Sequence, residues 1–172
     1  MIMPRGEQLL LPANPWFIGL TLFLALVVNL LPTSNWIWMP DILLLVLAFW
    51  GVHQPQRMGM GTAFALGLLM DVQHTALLGQ HALIYVLVMF ITQTNSRRLL
   101  WFSGWAQALQ MLPVFFLAHA LQMLIRMAAG GIFPGFWLAL APLLESLLWP
   151  LAIAVLLAPQ RRALVHDDER PL

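Results

Sequence analysis

Three acids and three bases of this chain stand among long apolar runs: Asp41, Asp71 and Glu145, with His81, His119 and Arg126. A carboxylate placed in hydrocarbon costs at least about 2.5–3.5 kcal/mol unless it is paired or wetted, so each acid needs an explanation. Asp71 closes one apolar run and His81 lies about one turn into the next, on the same side of the chain's path, so the two can hydrogen-bond. His119, Gln122 and Arg126 follow i, i+3, i+7 spacing and share one helical face. Glu145 is the deepest acid, and pairing with His119 or Arg126 across antiparallel helices would neutralise it. Asp41 follows Pro40, a combination suited to a helix amino terminus, where amides lack partners and the dipole favours negative charge. Carboxylate–imidazole pairs of this kind serve either as structural ties or as proton relays. Catalytic signatures are missing: the sequence has no Gly-x-Ser-x-Gly elbow, no His-Glu-x-x-His and no phosphate-cradling glycine loop. His53, His74, His81, His119 and His166 lack ligand-like spacing and cysteine is absent, so neither a metal nor another cofactor is expected.

The elements that must position these groups are read from hydropathy. Hydrophobic residues make up 61% of the chain and charged residues 9%, against roughly a quarter charged in soluble domains. Lipid is the implied solvent, and a net charge of +1 without an arginine cluster gives no reason to expect a nucleic-acid partner. The apolar runs predict an all-α membrane protein, a polytopic bundle of about six transmembrane helices over about 16–31, 37–52, 58–72, 76–93, 101–125 and 135–157. These form a single integral membrane domain with short tails at 1–15 and 158–172. The first run lacks a small-x-small cleavage site and is read as a retained span. About twenty residues cross a hydrocarbon core, so the second and third runs are short enough to form a re-entrant hairpin instead. With the amino terminus inside, Arg5, Arg57, Arg97, Arg98, Arg161, Arg162 and Arg170 lie inside and only Arg126 outside, which predicts both termini in the cytoplasm. Trp16, Trp36, Trp38, Trp101, Trp105 and Trp137 sit near run ends, where indoles prefer the headgroup level, and Trp50 fits the same role. Pro113 and Pro150 fall inside the last two runs and are expected to kink them.

The third run is patterned by small residues. Gly59, Ala63 and Gly67 recur every fourth position, with Gly61 and Ala65 repeating the spacing beside them. One face is therefore nearly bare, and another helix backbone can approach it closely. Asp71 continues the same row.

The run Pro40-Asp41-Ile42-Leu43-Leu44-Leu45, then Trp50, Pro55-Gln56-Arg57, Gly61-Thr62-Ala63-Phe64, Gly67, Asp71 and Gly79, resembles the bacterial rod shape-determining MreD family. Leu148-Trp149-Pro150 and the short arginine-bearing tail agree with that resemblance, which covers nearly the whole chain. Asp71 matches the family's acidic residue after the glycine-bearing helix, and Pro40 the proline opening the second span. Ala63 departs from relatives that carry glycine there. The resemblance implies a non-catalytic inner-membrane component of the elongation machinery, required for rod shape and sidewall peptidoglycan synthesis. It implies partnership with MreC and association with the MreB filament, the RodA glycosyltransferase and a class B penicillin-binding transpeptidase, all within membrane lipid. The family is also similar in fold to the substrate-binding subunits of energy-coupling-factor transporters. That similarity raises an alternative, a vitamin-like binding subunit whose pocket would draw on His81, Tyr85, His119, Gln122, Arg126 and Trp137.

Overall fold

The computed structural model describes residues 13–31, 39–73, 77–131, 133 and 135–160, and these hold six α-helices and no strand. Trp36, Trp38, His74, His166, Arg5, Arg161, Arg162 and Arg170 lie outside the described residues. The helices are α1 (Pro15–Leu30), α2 (Ile42–His53), α3 (Met60–Gln73), α4 (Gln80–Leu100), α5 (Gly104–Ala128) and α6 (Leu140–Leu157). A 3-10 turn, Phe136–Ala139, leads into α6.

Helix α2 is the centre of the bundle. Leu43 to Val52 are all buried, so it is covered around its circumference, with α1, α4 and α6 packed on it. A helix apolar on every side is stable only when enclosed in this way. Its core is aromatic: Phe49 meets the Trp50 ring edge-on at 5.1 Å and the Trp149 ring at 6.1 Å, and Phe115 of α5 also lies 6.1 Å from Trp149. The twelve residues of α2 rise about 18 Å, little more than half of a hydrocarbon core of about 30 Å. It starts at Ile42 and not at 37, because the Asp41 side chain accepts from the Leu44 amide and Asp41 itself is extended.

Helix α4 runs longer than its apolar stretch. It continues through Thr92, Thr94, Asn95 and Ser96 to Leu100, where apolarity alone would end a span near residue 93. Each of those four side chains donates to a carbonyl three or four residues back, so the helix satisfies its own polar groups. Arg97 and Arg98 in its last turn suit the negative end of the helix dipole.

The outside of the bundle is apolar. Leu143, Leu147, Leu151 and Val155 form an exposed i+4 row on α6, and Leu20, Phe23, Leu24 and Val27 cover α1. Unpartnered apolar surface on this scale belongs in lipid. Two segments, Gly104–Ala128 and Phe136–Gln160, are long and apolar enough to cross a membrane. Trp16, Trp101, Trp105 and Trp137 are exposed near helix ends. Trp50 is a correction: it is fully buried and its indole donates to Thr21 Oγ1 at 3.0 Å, so it is a core residue and not a headgroup anchor.

Candidate functional site

Each helix sends one polar side chain or more to a single end of the bundle. Asn29 comes from the end of α1, Asp41 from the start of α2, Asp71 from the end of α3 and Tyr85 and His81 from the start of α4. His119 and Gln122 come from the later part of α5, and Glu145 from the earlier part of α6. Late residues of odd helices meet early residues of even ones, so successive helices alternate in direction.

Two buried helix amino termini organise this polar layer. The first belongs to α4. Gly79 precedes it with φ 98°, a left-handed conformation that favours glycine and leaves no side chain to cap the helix. Asp71 of α3 supplies the cap: Oδ2 accepts from the amides of Gly79 (2.8 Å) and Ala82 (3.3 Å), and Oδ1 from the amide of His81 (2.7 Å). His81 Nδ1 lies 2.8 Å from Asp71 Oδ1, and Gln122 Nε2 lies 2.9 Å from His81 Nε2. One tautomer satisfies both contacts, with the proton on Nδ1 donated to the carboxylate and Nε2 accepting from the amide of Gln122. Gln80 donates to the Gln122 carbonyl, tying α4 to α5 a second time.

The second terminus is that of α2. Its own cap, Asp41, also accepts from Asn29 Nδ2 at 2.6 Å and from the Tyr85 hydroxyl at 2.6 Å. Asn29 Oδ1 accepts in turn from the amide of Ile42, and Glu145 Oε1 from the amide of Asp41 at 2.8 Å. Helices α1 and α6 thereby reach amides that α2 alone would leave orphaned. His119 Nε2 sits 2.8 Å from Glu145 Oε1, while Glu145 Oε2 has no hydrogen-bond partner among the described residues. Glu145 is fully buried and His119 nearly so.

Of the two partners expected for Glu145, the structure brings His119. Arg126 is exposed, has no ion pair among the described residues and is not a buried polar group. Pro40 is half-buried just ahead of the Asp41 cap. Asn29 was not singled out by sequence reasoning, although it is a lone polar residue near the end of an apolar run. The single tyrosine, Tyr85, expected as a pocket residue, instead ties α4 to the Asp41 cap. The acids are engaged by amides and imidazoles, and no group of three metal-ligating side chains occurs among the described residues.

The small-residue row of α3 divides into two faces. Gly67 is buried, and a Cβ there would lie 2.4 Å from the Ala82 Cα of α4. Ala63 is buried on the same side. Gly59 lies just ahead of α3 and is exposed, as are Gly61 and Ala65 one turn apart on the helix; a Cβ at Gly61 would meet nothing within 4 Å. Gly67 is therefore occupied within the chain and is not open to a partner.

The chain matches the rod shape-determining protein MreD family over residues 12–164. It is 30% identical over 154 residues to the rod shape-determining protein MreD of Haemophilus influenzae, covering 88% of this chain and 95% of that one. No solved structure matches. An all-helical bundle with an apolar exterior and a match over most of its length lead to one conclusion: the chain belongs to the MreD family of rod shape-determining membrane proteins.

Proposed function

We propose that this protein is a six-span, non-catalytic scaffold of the inner membrane that serves rod shape and sidewall peptidoglycan synthesis by holding MreC. Both termini are cytoplasmic in this reading, which places the polar layer at the periplasmic end; the arginine distribution supports that orientation. MreB, RodA and a class B penicillin-binding transpeptidase join through the same assembly. The carrying observation is the divided surface of α3: Ala63 and Gly67 are buried, Gly67 against the Ala82 backbone of α4, while Gly61 and Ala65, one turn apart, are exposed and leave room for a second backbone. The single span expected of MreC fits such a face.

The test is co-purification of Gly61→Leu protein with MreC from membranes. Capture should fall while yield and thermal stability stay at wild-type values. MreC recovered at the wild-type level would sink the assignment of this face.

A vitamin-like binding subunit, with the fold of the energy-coupling-factor substrate-binding proteins, is less well supported. His81, Tyr85, His119 and Gln122 are engaged with one another or with Asp41, Asp71 and Glu145, and Arg126 and Trp137 face outward.

A further inference from the structure

A furrow of about 410 Å³ runs between α4 and α5 at the arginine end, away from the polar layer. Its walls are apolar: Ile91 and Leu99 on α4 face Met111, Pro113 and Val114 on α5. Its polar lining includes Arg98 and Gln110. Neither side chain has a hydrogen bond or ion pair among the described residues, and no acid lies in the furrow. Other polar groups nearby are satisfied, since Thr92 donates to the Met89 carbonyl and Asn95 to the Ile91 carbonyl.

We infer that this furrow binds one anionic phospholipid, its phosphate on Arg98 and Gln110 and an acyl chain along the apolar walls. The chemistry selects the ligand. Arg98 lies in the last turn of α4, at the level where a headgroup meets the hydrocarbon, and offers a planar fork of donors suited to phosphate. Gln110 adds a neutral donor from the opposite wall. Pro113 lends shape: it has no amide to close the helical bond toward Leu109, and both residues line the furrow. Basic pockets between membrane helices hold anionic headgroups by this combination of charge and apolar wall. A wholly apolar protein helix would fill the walls equally well but would leave Arg98 without an anion. The adjacent Arg97 is exposed and does not line the furrow, which makes it the natural control.

The experiment is native mass spectrometry of the full-length protein released from detergent with added phosphatidylglycerol or phosphatidylcholine of identical chains. Wild-type protein should retain phosphatidylglycerol preferentially. Arg98→Gln should lower that retention roughly fivefold, the effect of one basic residue at a membrane surface, and Arg97→Gln should leave it nearly unchanged. A Val114→Trp variant, which fills the furrow without altering charge, should also release the lipid. Equal loss in the two arginine variants, or no preference over phosphatidylcholine, would show general surface electrostatics and overturn the site. A Gln110→Cys protein that crosslinks to another polypeptide in native membranes would assign the furrow to a protein helix, with the same consequence.

Discussion

At one end of the bundle Asn29, Asp41, Asp71, His81, Tyr85, His119, Gln122 and Glu145 bond across all six helices. Toward the other end two bonds join α6 to the first turns of α5, from Ser146 to the Ala108 carbonyl and from Trp149 to Gln107 Oε1, and the rest run from side chains to loop carbonyls. Arg57 donates to the Ala13 carbonyl at 2.7 Å, and Gln93 to the carbonyls of Pro55 and Met58. The difference follows from helix ends. At the first end the amino termini of α2 and α4 are inside the protein, so their amides need buried acceptors and acids supply them. At the second end arginines can reach headgroups or water, and Arg97 and Arg98 have no partner among the described residues. The bundle is thus locked at one end and adaptable at the other.

The largest effect should come from breaking the close approach that lets α3 bring Asp71 to α4. Gly67→Leu places a side chain where even a Cβ meets the Ala82 backbone, and adding even methylenes to a well-packed core costs about 1–3 kcal/mol. A backbone cannot yield as a side chain does, so we expect no monodisperse protein on size-exclusion chromatography. Gly61→Leu on the other face should elute as wild type. Next is the buried pair. His119→Ala or Glu145→Ala leaves a partner unpaired inside the protein and should cost about 3–5 kcal/mol in reversible detergent unfolding. The double variant should cost clearly less than the sum of the two, and strict additivity would show that the 2.8 Å contact carries no coupling.

Part of this contrast was legible in the chain itself. Helix number and order follow from the apolar runs, and Asp71 with His81 was readable because ten residues and one turn separate them in sequence. The fate of Glu145 was not, since His119 and Arg126 share one helical face and only the axial register of α5 against α6 decides between them. Trp50 was misread because proximity to a run end does not reveal that three helices enclose α2. Asn29 escaped notice for a related reason: its two partners, Asp41 and the Ile42 amide, lie across a loop, and nothing local marks it as a cap for the next helix. The extension of α4 to Leu100 escaped a hydropathy reading because side-chain back-bonding, and not apolarity, keeps Thr92 to Ser96 helical.

A smaller effect sharpens the locked end. Asp71→Ala removes the acceptor of three amides and of His81 Nδ1, and loss of a helix cap with a buried donor should cost about 2 kcal/mol. Asp71→Asn keeps one acceptor oxygen and should fall between wild type and alanine. Hydrogen exchange provides the direct readout, because protection at Gly79, His81 and Ala82 should drop in the alanine variant while amides near Arg97 hold theirs. Loss spread evenly over α4 would mean that Asp71 stabilises the helix as a whole and not its buried terminus.

The smallest effect lies between the two ends, where Trp50 donates to Thr21. Hydrogen bonds between helices in lipid average about 0.6 kcal/mol, since the unfolded chain in a membrane also finds partners. Trp50→Phe removes the bond together with some packing, whereas Thr21→Val removes the acceptor at nearly constant volume. The double variant should be no less stable than Trp50→Phe alone, because the bond can be lost only once. If Thr21→Val costs nothing beside a costly Trp50→Phe, the indole is held by its contacts with Phe17 and Phe49. Packing around Trp50 would then owe its order to shape, unlike the neighbouring α5–α6 seam, where Ser146 and Trp149 donate to the Ala108 carbonyl and to Gln107 Oε1.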